Sequence, residues 1–468
     1  MPLSLKRVSW IEGGGKMEKN DERLGSAPLG KLMVSMALPA VAAQVINVLY
    51  NIVDRIYIGH IAGYGELALT GVGVTAPILM VISAFSAFAG MGGAPQASIQ
   101  LGKKNYDKAE KILGSSVAML LLFSVVLTVF FQIFKTPVLY AFGASDNTIV
   151  YARQYITIYL AGTVFVQFAL GLNTYISGQG NPKVAMLSVL LGAVVNIILD
   201  PIFIFGLNMG VRGAALATII SQALSAAWVI HFLVSPKSVI QIRRKYIRFE
   251  KETVMGIASL GISPFIMQST ESLVMIALNT GLQKYGGDLY VGTMSIMSSV
   301  MQFIVIPVQG ISQGVQPIMS YNYGAGNLKR VKDTFVRMVL VCLGATLFLA
   351  GIAVLKPEFY AGLFSSNEQL TALTCQYMPV YFLGITIFGI QMGCQTAFLA
   401  LGQAKVSLII ALLRKIVLLI PLAILFPRFM GVVGVYRAEP VADFISVAVT
   451  IVLFIVTWRK VSAESSDK

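Results

Sequence analysis

The sequence predicts an all-α integral membrane protein with twelve transmembrane helices, arranged as two six-helix lobes related by a pseudo-two-fold axis. Three observations predict it. Of 468 residues, 56% are apolar and 12% charged, against about 45–50% and about 25% in soluble globular domains. Apolar runs of roughly 20 residues, long enough to cross a bilayer, recur along the whole chain. Residues 222 apart also match repeatedly: Pro95 and Pro317, Gly102 and Gly324, Asn105 and Asn327, Tyr155 and Tyr377, Tyr159 and Tyr381, Gly162 and Gly384, Gly180 and Gly402, Lys183 and Lys405. So many matches at one offset indicate duplication of a six-helix unit. Six is even, so both units enter the membrane from the same side as parallel repeats.

The elements follow in order. Residues 1–31 carry Lys6, Arg7, Lys16, Lys19, Glu22 and Arg23 among scattered glycines and no apolar stretch long enough for a signal peptide. They read as a short cytoplasmic tail, with Met17 as a second candidate start. Gly13–Gly15 with Lys16 lacks the preceding strand, the glycine spacing and the following Ser/Thr of a phosphate loop. Cuts at charged or Gly/Pro-rich breaks place spans near 32–58, 67–90, 112–134, 152–177, 184–206 and 213–234 in an N-terminal lobe, 32–234. A basic linker, 235–253, is followed by spans near 254–281, 290–320, 335–355, 375–400, 406–427 and 433–458 in a C-terminal lobe, 254–458, and a tail, 459–468.

Lys+Arg 35 against Asp+Glu 21 leaves a net charge of +14, and the excess is confined to one set of connections. Lys103, Lys104, Lys108 and Lys111, Lys183, the run from Lys237 to Lys251, Lys329, Arg330 and Lys332, Lys405, and Arg459 with Lys460 all fall on one side. The other side has mostly single cations: Lys135, Arg212, Lys284, Lys356 and Arg428. By the positive-inside rule the basic loops and both termini are cytoplasmic, so the basicity serves orientation and contact with anionic lipid and does not point to nucleic acid. Cys342, Cys375 and Cys394 lie in or beside apolar runs and form no disulfide framework or zinc site. Gly71, Gly73 and Ala76 match a dinucleotide spacing but sit inside an apolar helix, where small residues permit close packing. His60 and His231 lack partners at metal spacing. No Ser/His/Asp grouping, H-E-x-x-H or Walker sequence is present, which speaks against an enzyme and leaves an ion gradient or a separate subunit as the energy source for any transport.

The polar residues inside the membrane carry the chemistry. In the first helix Gln44, Asn47, Asn51 and Asp54 fall at i, i+3, i+7 and i+10, one face of a helix. In the fifth, Asn196 and Asp200 are i, i+4 neighbours just before Pro201, and in the sixth Thr218 shares a face with Gln222. Counted from the outer helix ends, Asp54, Asp200 and Thr218 lie at similar depth. Two carboxylates in low dielectric cannot both stay ionised and unpaired, so one holds a proton or the pair holds a cation such as Na⁺ through hard oxygens. The alternative is structural: Asp54 pairs with Arg55, and Asp200 bonds backbone freed by Pro201. Intramembrane acids are functional by default, which favours ion coupling. The second half is no copy, for Asn279 falls near the place of Asp54, and Leu418 and Leu422 take those of Asn196 and Asp200. It carries instead Gln268 and Glu271, Gln391 and Gln395, and Glu439 with Asp443. Glu271 is placed to attract a cationic substrate or to pair with Arg414 or Arg437; Glu439 and Asp443 lie close to Arg437.

These residues carry a resemblance. ALPAVAAQVINVLYNIVDRIYIGHI in the first helix, QLGKKNYDKAEK after the second, GQGNPK before the fifth and NIILDPIFIFG followed by GVRGAALAT resemble the MATE multidrug and toxic-compound extrusion transporters over essentially all of 32–458. The wording, VDRIYIGHI included, is most similar to that family's small bacterial multidrug exporters. The resemblance implies the fold of the MATE family (MOP type), with no cofactor, in a monomer of the bacterial inner membrane. It further implies a secondary antiporter exporting lipophilic organic cations against H⁺ or Na⁺. Asp54, Asn196, Asp200 and Thr218 look like its first-lobe cation site, and Glu271 like its seventh-helix acid, with Gln268, Gln391, Gln395 and Asn279 as companions in substrate binding. Where some branches hold an acid on the tenth helix, this chain has Gln391 and Gln395, which weakens a second-lobe cation site. The rival is a lipid or lipid-linked saccharide flippase of the same superfamily, which would want a basic cavity, whereas Asp54, Asp200 and Glu271 make this one acidic.

Overall fold

The computed structural model describes residues 23–364 and 367–466; Met17 and the Gly13–Lys16 fragment lie outside them. Every apolar run forms a helix. Ten are continuous: α1 (Leu29–Gly59), α2 (Gly65–Gly102), α3 (Tyr106–Ala141), α5 (Pro182–Gly206), α6 (Val211–Val234), α7 (Lys251–Gly286), α8 (Asp288–Gly324), α9 (Leu328–Leu355), α11 (Ala404–Met430) and α12 (Val432–Ala463). Two are bent pairs, α4 (Ile149–Ala161 and Thr163–Gly178, 63°) and α10 (Glu368–Phe382 and Gly384–Ala400, 41°). Counting each pair as one span gives the expected twelve. A short helix, Pro357–Phe364, between α9 and α10 was not foreseen. The expected C-terminal tail instead prolongs the last helix to Ser466. At about 1.5 Å per residue, the 38 residues of α2 and the 37 of α8 far exceed a hydrocarbon core of about 30 Å. Compared with the expected spans, their extra length lies at the basic-loop end.

The bends share a cause. Gly162 and Gly384, 222 apart, stand at the two breaks because a neighbouring helix comes too near for a side chain. A Cβ at Gly162 would meet Ile219 of α6 at 2.6 Å, and one at Gly384 would meet Pro440 and Asp443 of α12 at 2.7 Å. The Thr163 hydroxyl takes up the loosened Leu160 carbonyl at 2.8 Å.

In the first lobe α1 packs on α5, α5 on α6, α6 on α4 and α2 on α3; in the second α8 packs on α9, α9 on α10, and α11 on α7 and α12. The lobes meet where α2 crosses α7 and α8, and where α1 crosses α8. The same contact occurs twice across this seam: a Cβ on Gly102 would fall on the Tyr321 carbonyl, and one on Gly324 on the Ile99 carbonyl. Tyr321 is Ile99 displaced by 222, so the pseudo-two-fold axis passes through this backbone-on-backbone join at the basic-loop end. Nearby turns repeat as well. Asn105 caps α3 by accepting from Lys108 N–H, Asn327 caps α9 by accepting from Arg330 N–H, each at 3.1 Å, and the preceding Lys104 and Gly326 both have positive φ. Toward the other side, the outer segments Gly65–Val74 of α2 and Glu271–Gly286 of α7 pack chiefly within their own lobes.

The basic connection between the lobes is an ordered strap on the first one. The Gln179 carboxamide oxygen accepts from the Ser238 hydroxyl at 3.0 Å and from Val239 N–H at 2.6 Å. Arg243 pairs with Glu110 at 2.7 Å, Tyr246 lies over Gly114 and bonds Asp107, and the Ser115 hydroxyl donates to the Arg248 carbonyl at 3.2 Å.

Candidate functional site

Asp54 from α1, Asn196 and Asp200 from α5 and Thr218 from α6 are all buried in the outer part of the first lobe. The regular α-helical part of α5 ends on Pro201, which supplies no N–H, and the helix loosens into a π-helical turn over Ile202–Gly206. Asp200 does not engage the backbone freed there. Its Oδ1 accepts from the Asn196 amide at 3.2 Å, and its carboxyl lies beside that of Asp54, close enough for the two to share a proton. Nor does Asp54 pair with Arg55: among the described residues neither Asp54 nor Asp200 has a cationic partner in an ion pair. Three buried oxygens, Asp54 Oδ1, Asn196 Oδ1 and Asp200 Oδ2, lack any hydrogen-bond donor. Such a set has the chemistry to accept a proton or a small hard cation. Thr218 donates back to the Ala214 carbonyl at 3.0 Å, leaving its oxygen facing the Tyr155 hydroxyl. Tyr155, stacked on Tyr159 at 6.0 Å, and Tyr50, beside Asn51 and Gln222, were missed as site residues. Their membership in the repeat and in the first helix's polar run were the available signals.

The rest of the α1 stripe splits up. Gln44 turns to the other lobe and donates to Gln313 at 3.1 Å. Asn51 is exposed, its amide folded back on the Asn47 carbonyl at 2.6 Å, so it does not join the carboxylates as its spacing implied. Asn47 stands between two cavities. One, of about 200 Å³, lies between the lobes and is lined by Gln44, Asn47, Asn173, Gln313, Gln316 and Ser320 with Met91 and several prolines. The other, of about 30 Å³, is lined by Asn47, Tyr50, Ser188, Asn196, Thr218 and Gln222. No charged residue lines the interlobe cavity, so the expectation of an acidic cavity is corrected: its polarity comes from amides and hydroxyls, with Gln316 Nε2 and Ser320 Oγ unpartnered. Gln313, Gln316 and Ser320 sit at i, i+3 and i+7 of α8, a pattern legible by the same test that singled out α1.

The second lobe binds its acids to cations. Arg414 donates from Nε to Asp443 and from Nη2 to Glu439, both at 2.8 Å, with its guanidinium over the Phe388 ring at 4.5 Å. Arg437, the expected partner, points elsewhere, to the Met430 sulfur at 3.8 Å. Glu271 pairs with Lys415 instead of Arg414 or Arg437, and Lys415 also donates to the Met267 carbonyl at 2.8 Å. Gln395 is tied by its amide to the Ser263 and Ser407 hydroxyls, each at 2.8 Å. Gln391 lines a cavity of about 20 Å³ with Arg414 and Lys415. Gln268 is half-buried on the turn before Glu271, and Asn279 lies two turns beyond it. None of Glu271, Gln268, Gln391, Gln395 and Asn279 lines the interlobe cavity, so the structure does not gather them into one substrate surface.

With this geometry in hand, the chain can be compared with known proteins. The MatE family model matches residues 39–202 and 264–425, once in each lobe. Over 428 residues the chain is 28% identical to the Multidrug export protein MepA of Staphylococcus haemolyticus (strain JCSC1435), covering 91% of this chain and 93% of that protein. It is 24% identical over 442 residues to the protein of the same name in Staphylococcus aureus (strain MRSA252), covering 94% and 97%. Its fold superposes on a crystal structure of MATE in the bent conformation with a TM-score of 0.89 at 22% identity, covering 96% of this chain and 99% of that one.

Proposed function

The chain belongs to the MatE family, and from that premise we propose that it is a secondary antiporter that exports lipophilic organic cations in exchange for H⁺ or Na⁺. It is a multi-pass membrane transporter of the multidrug-export kind and not an enzyme. The observation that carries the finer reading is the pair of buried carboxylates without a cation, Asp54 and Asp200, with three unsatisfied oxygens between them and Asn196.

An incoming H⁺ or Na⁺ satisfies those oxygens. Asn196 orients Asp200 toward it, and Thr218 with Tyr155 supplies neutral oxygens at the rim. Loading drives the cycle only if the loaded cluster favours one arrangement of the lobes over the other, because an ion shifts an equilibrium by its differential affinity alone. The basic loops face the cytoplasm, both termini lie there, and the divergence of α2 and α7 on the opposite side admits the ion from outside. The lobes 32–234 and 254–458 move about the seam as rigid bodies of a monomer in a bacterial plasma membrane. The uncharged interlobe cavity receives the substrate by its apolar and amide surface, which suits lipophilic cations of varied shape.

The test is ethidium flux in proteoliposomes under separately imposed proton and sodium gradients, for the wild type and Asp200→Asn. Flux that follows one ion and vanishes in a variant that still folds in detergent is the expected result. Full transport in Asp200→Asn would refute the coupling site, and no wild-type flux under either gradient would move the reading to a lipid-like substrate.

A further inference from the structure

On the membrane-facing side of α1, at the basic-loop end, lies a groove of about 470 Å³ lined by Lys31, Val34, Ser35, Leu38 and Pro39 of α1 and Lys183 at the start of α5. The α1 residues form one stripe, since positions 31, 34, 35 and 38 share a helix face. The chemistry of the groove is graded along it. Lys31 and Lys183 stand at the end nearest the basic loops, and no acid lines the groove or pairs with either lysine among the described residues. Arg23 adds a third cation, its guanidinium held on the Ser35 hydroxyl at 3.0 Å. Deeper in, Val34 and Leu38 are 63% and 67% exposed, seven residues of helix carrying the groove about 10 Å toward the hydrocarbon.

The corresponding face of the other lobe keeps one of the two lysines, Lys405 in the place of Lys183, but not the other. Displaced by 222, Lys31 becomes Thr253 and Val34 becomes Gly256, and Gly256 is covered by Gln96, whose carboxamide oxygen would stand 2.9 Å from a Cβ there. General basicity of one membrane face does not by itself account for the feature, in which two lysines without an ion-pair partner stand above an exposed apolar floor.

We propose that this groove binds one anionic phospholipid of the leaflet on the basic-loop side, its phosphate between Lys31 and Lys183 and an acyl chain along Val34 and Leu38. A soluble anion would use the lysines and leave the floor bare, and a zwitterionic lipid would bring its own cation to a site that already has three. The inference needs only the membrane-spanning fold and stands whether or not the coupling reading above is right.

Native mass spectrometry of the purified full chain, titrated with phosphatidylglycerol and with phosphatidylcholine, tests it. The wild type is expected to retain one phosphatidylglycerol in preference to phosphatidylcholine. Lys31→Gln/Lys183→Gln is expected to weaken that retention roughly tenfold or more, given the attraction of each lysine near an anionic surface. Lys329→Gln/Lys332→Gln, which removes the same charge from exposed lysines of the same face, should leave retention unchanged. Leu38→Trp, which fills the floor without altering charge, should lose it. Equal losses in the two double variants, equal retention of the two lipids, or displacement by inorganic phosphate would each overturn the proposal. Both groove lysines are exposed, so their variants fold, and thermal unfolding in neutral detergent checks that they do.

Discussion

The two lobes use one frame for opposite electrostatic ends. Both carry a tyrosine pair on the bent helix, Tyr155 and Tyr159 in α4, Tyr377 and Tyr381 in α10, and both place acids beside it. In the first lobe those acids face each other without a cation. In the second, Arg414 lies between Glu439 and Asp443, and Lys415 answers Glu271. A buried carboxylate must be neutralised somehow. The second lobe meets three acids with two cations of its own and leaves only Asp443 Oδ2 among their buried oxygens without a donor, whereas the first sets no cation against Asp54 and Asp200 among the described residues. The difference separates a half whose acids meet cations from within from one whose acids do not, without any change of topology.

The strongest way to break this contrast is to give the first lobe a cation of its own. Asn196→Lys places an ammonium beside Asp200 and should abolish ion-driven flux in proteoliposomes while leaving the protein folded; retained coupling would mean that the cluster's vacancy for a cation is irrelevant. Next in size, Arg414→Met leaves Glu439 and Asp443 buried without a partner and should cost about 3–5 kcal/mol. Thermal unfolding in detergent reads this, with Asp200→Asn expected to show no such loss. If both variants melt alike, the second lobe's network is not what completes it. The frame itself should respond equally in both halves: Asn105→Ala and Asn327→Ala each remove an N-cap and should each cost about 1 kcal/mol, whereas clearly unequal shifts in unfolding midpoint would deny the equivalence of the two turns. The smallest effect is expected for Glu271→Gln. Its side chain is 58% exposed, and a half-exposed ion pair contributes about 1 kcal/mol or less. Transport of cationic substrates should therefore weaken no more than about fivefold, with neutral ones untouched; equal loss for both would assign Glu271 to structure alone.

Helix number, duplication and the first-lobe constellation were legible in the sequence because each depends on spacing within a helix or on hydropathy along the chain. Asn196 and Asp200 are neighbours on any α-helix, and Asp54 stands out as an acid in an apolar run. What spacing cannot convey is which helix faces which. Arg414 and Lys415 reach different acids because adjacent residues stand about 100° apart around a helix, and the π-helical stretch Leu413–Leu419 shifts their faces from those a 3.6-residue period assigns. Asn51 fits the polar stripe of α1 yet lies at the edge that no neighbouring helix covers, so it turned back on its own backbone. The neutrality of the interlobe cavity was hidden for the same reason: Glu271 is intramembrane in sequence, but it does not line the cavity between the lobes and pairs with Lys415 of its own lobe.

The strap between the lobes sets a limit on travel. It is anchored to α3 as far as the Arg248 carbonyl, and α7 begins at Lys251, so the slack is the stretch through Phe249 and Glu250. Fully extended backbone covers about 3.3–3.6 Å per residue, which gives a leash of about 10 Å. While Ser115 holds the Arg248 carbonyl, the start of the seventh helix can swing no farther than that from its anchor. For two halves that move against each other, as proposed above, the connection would be a mechanical stop that holds them in register.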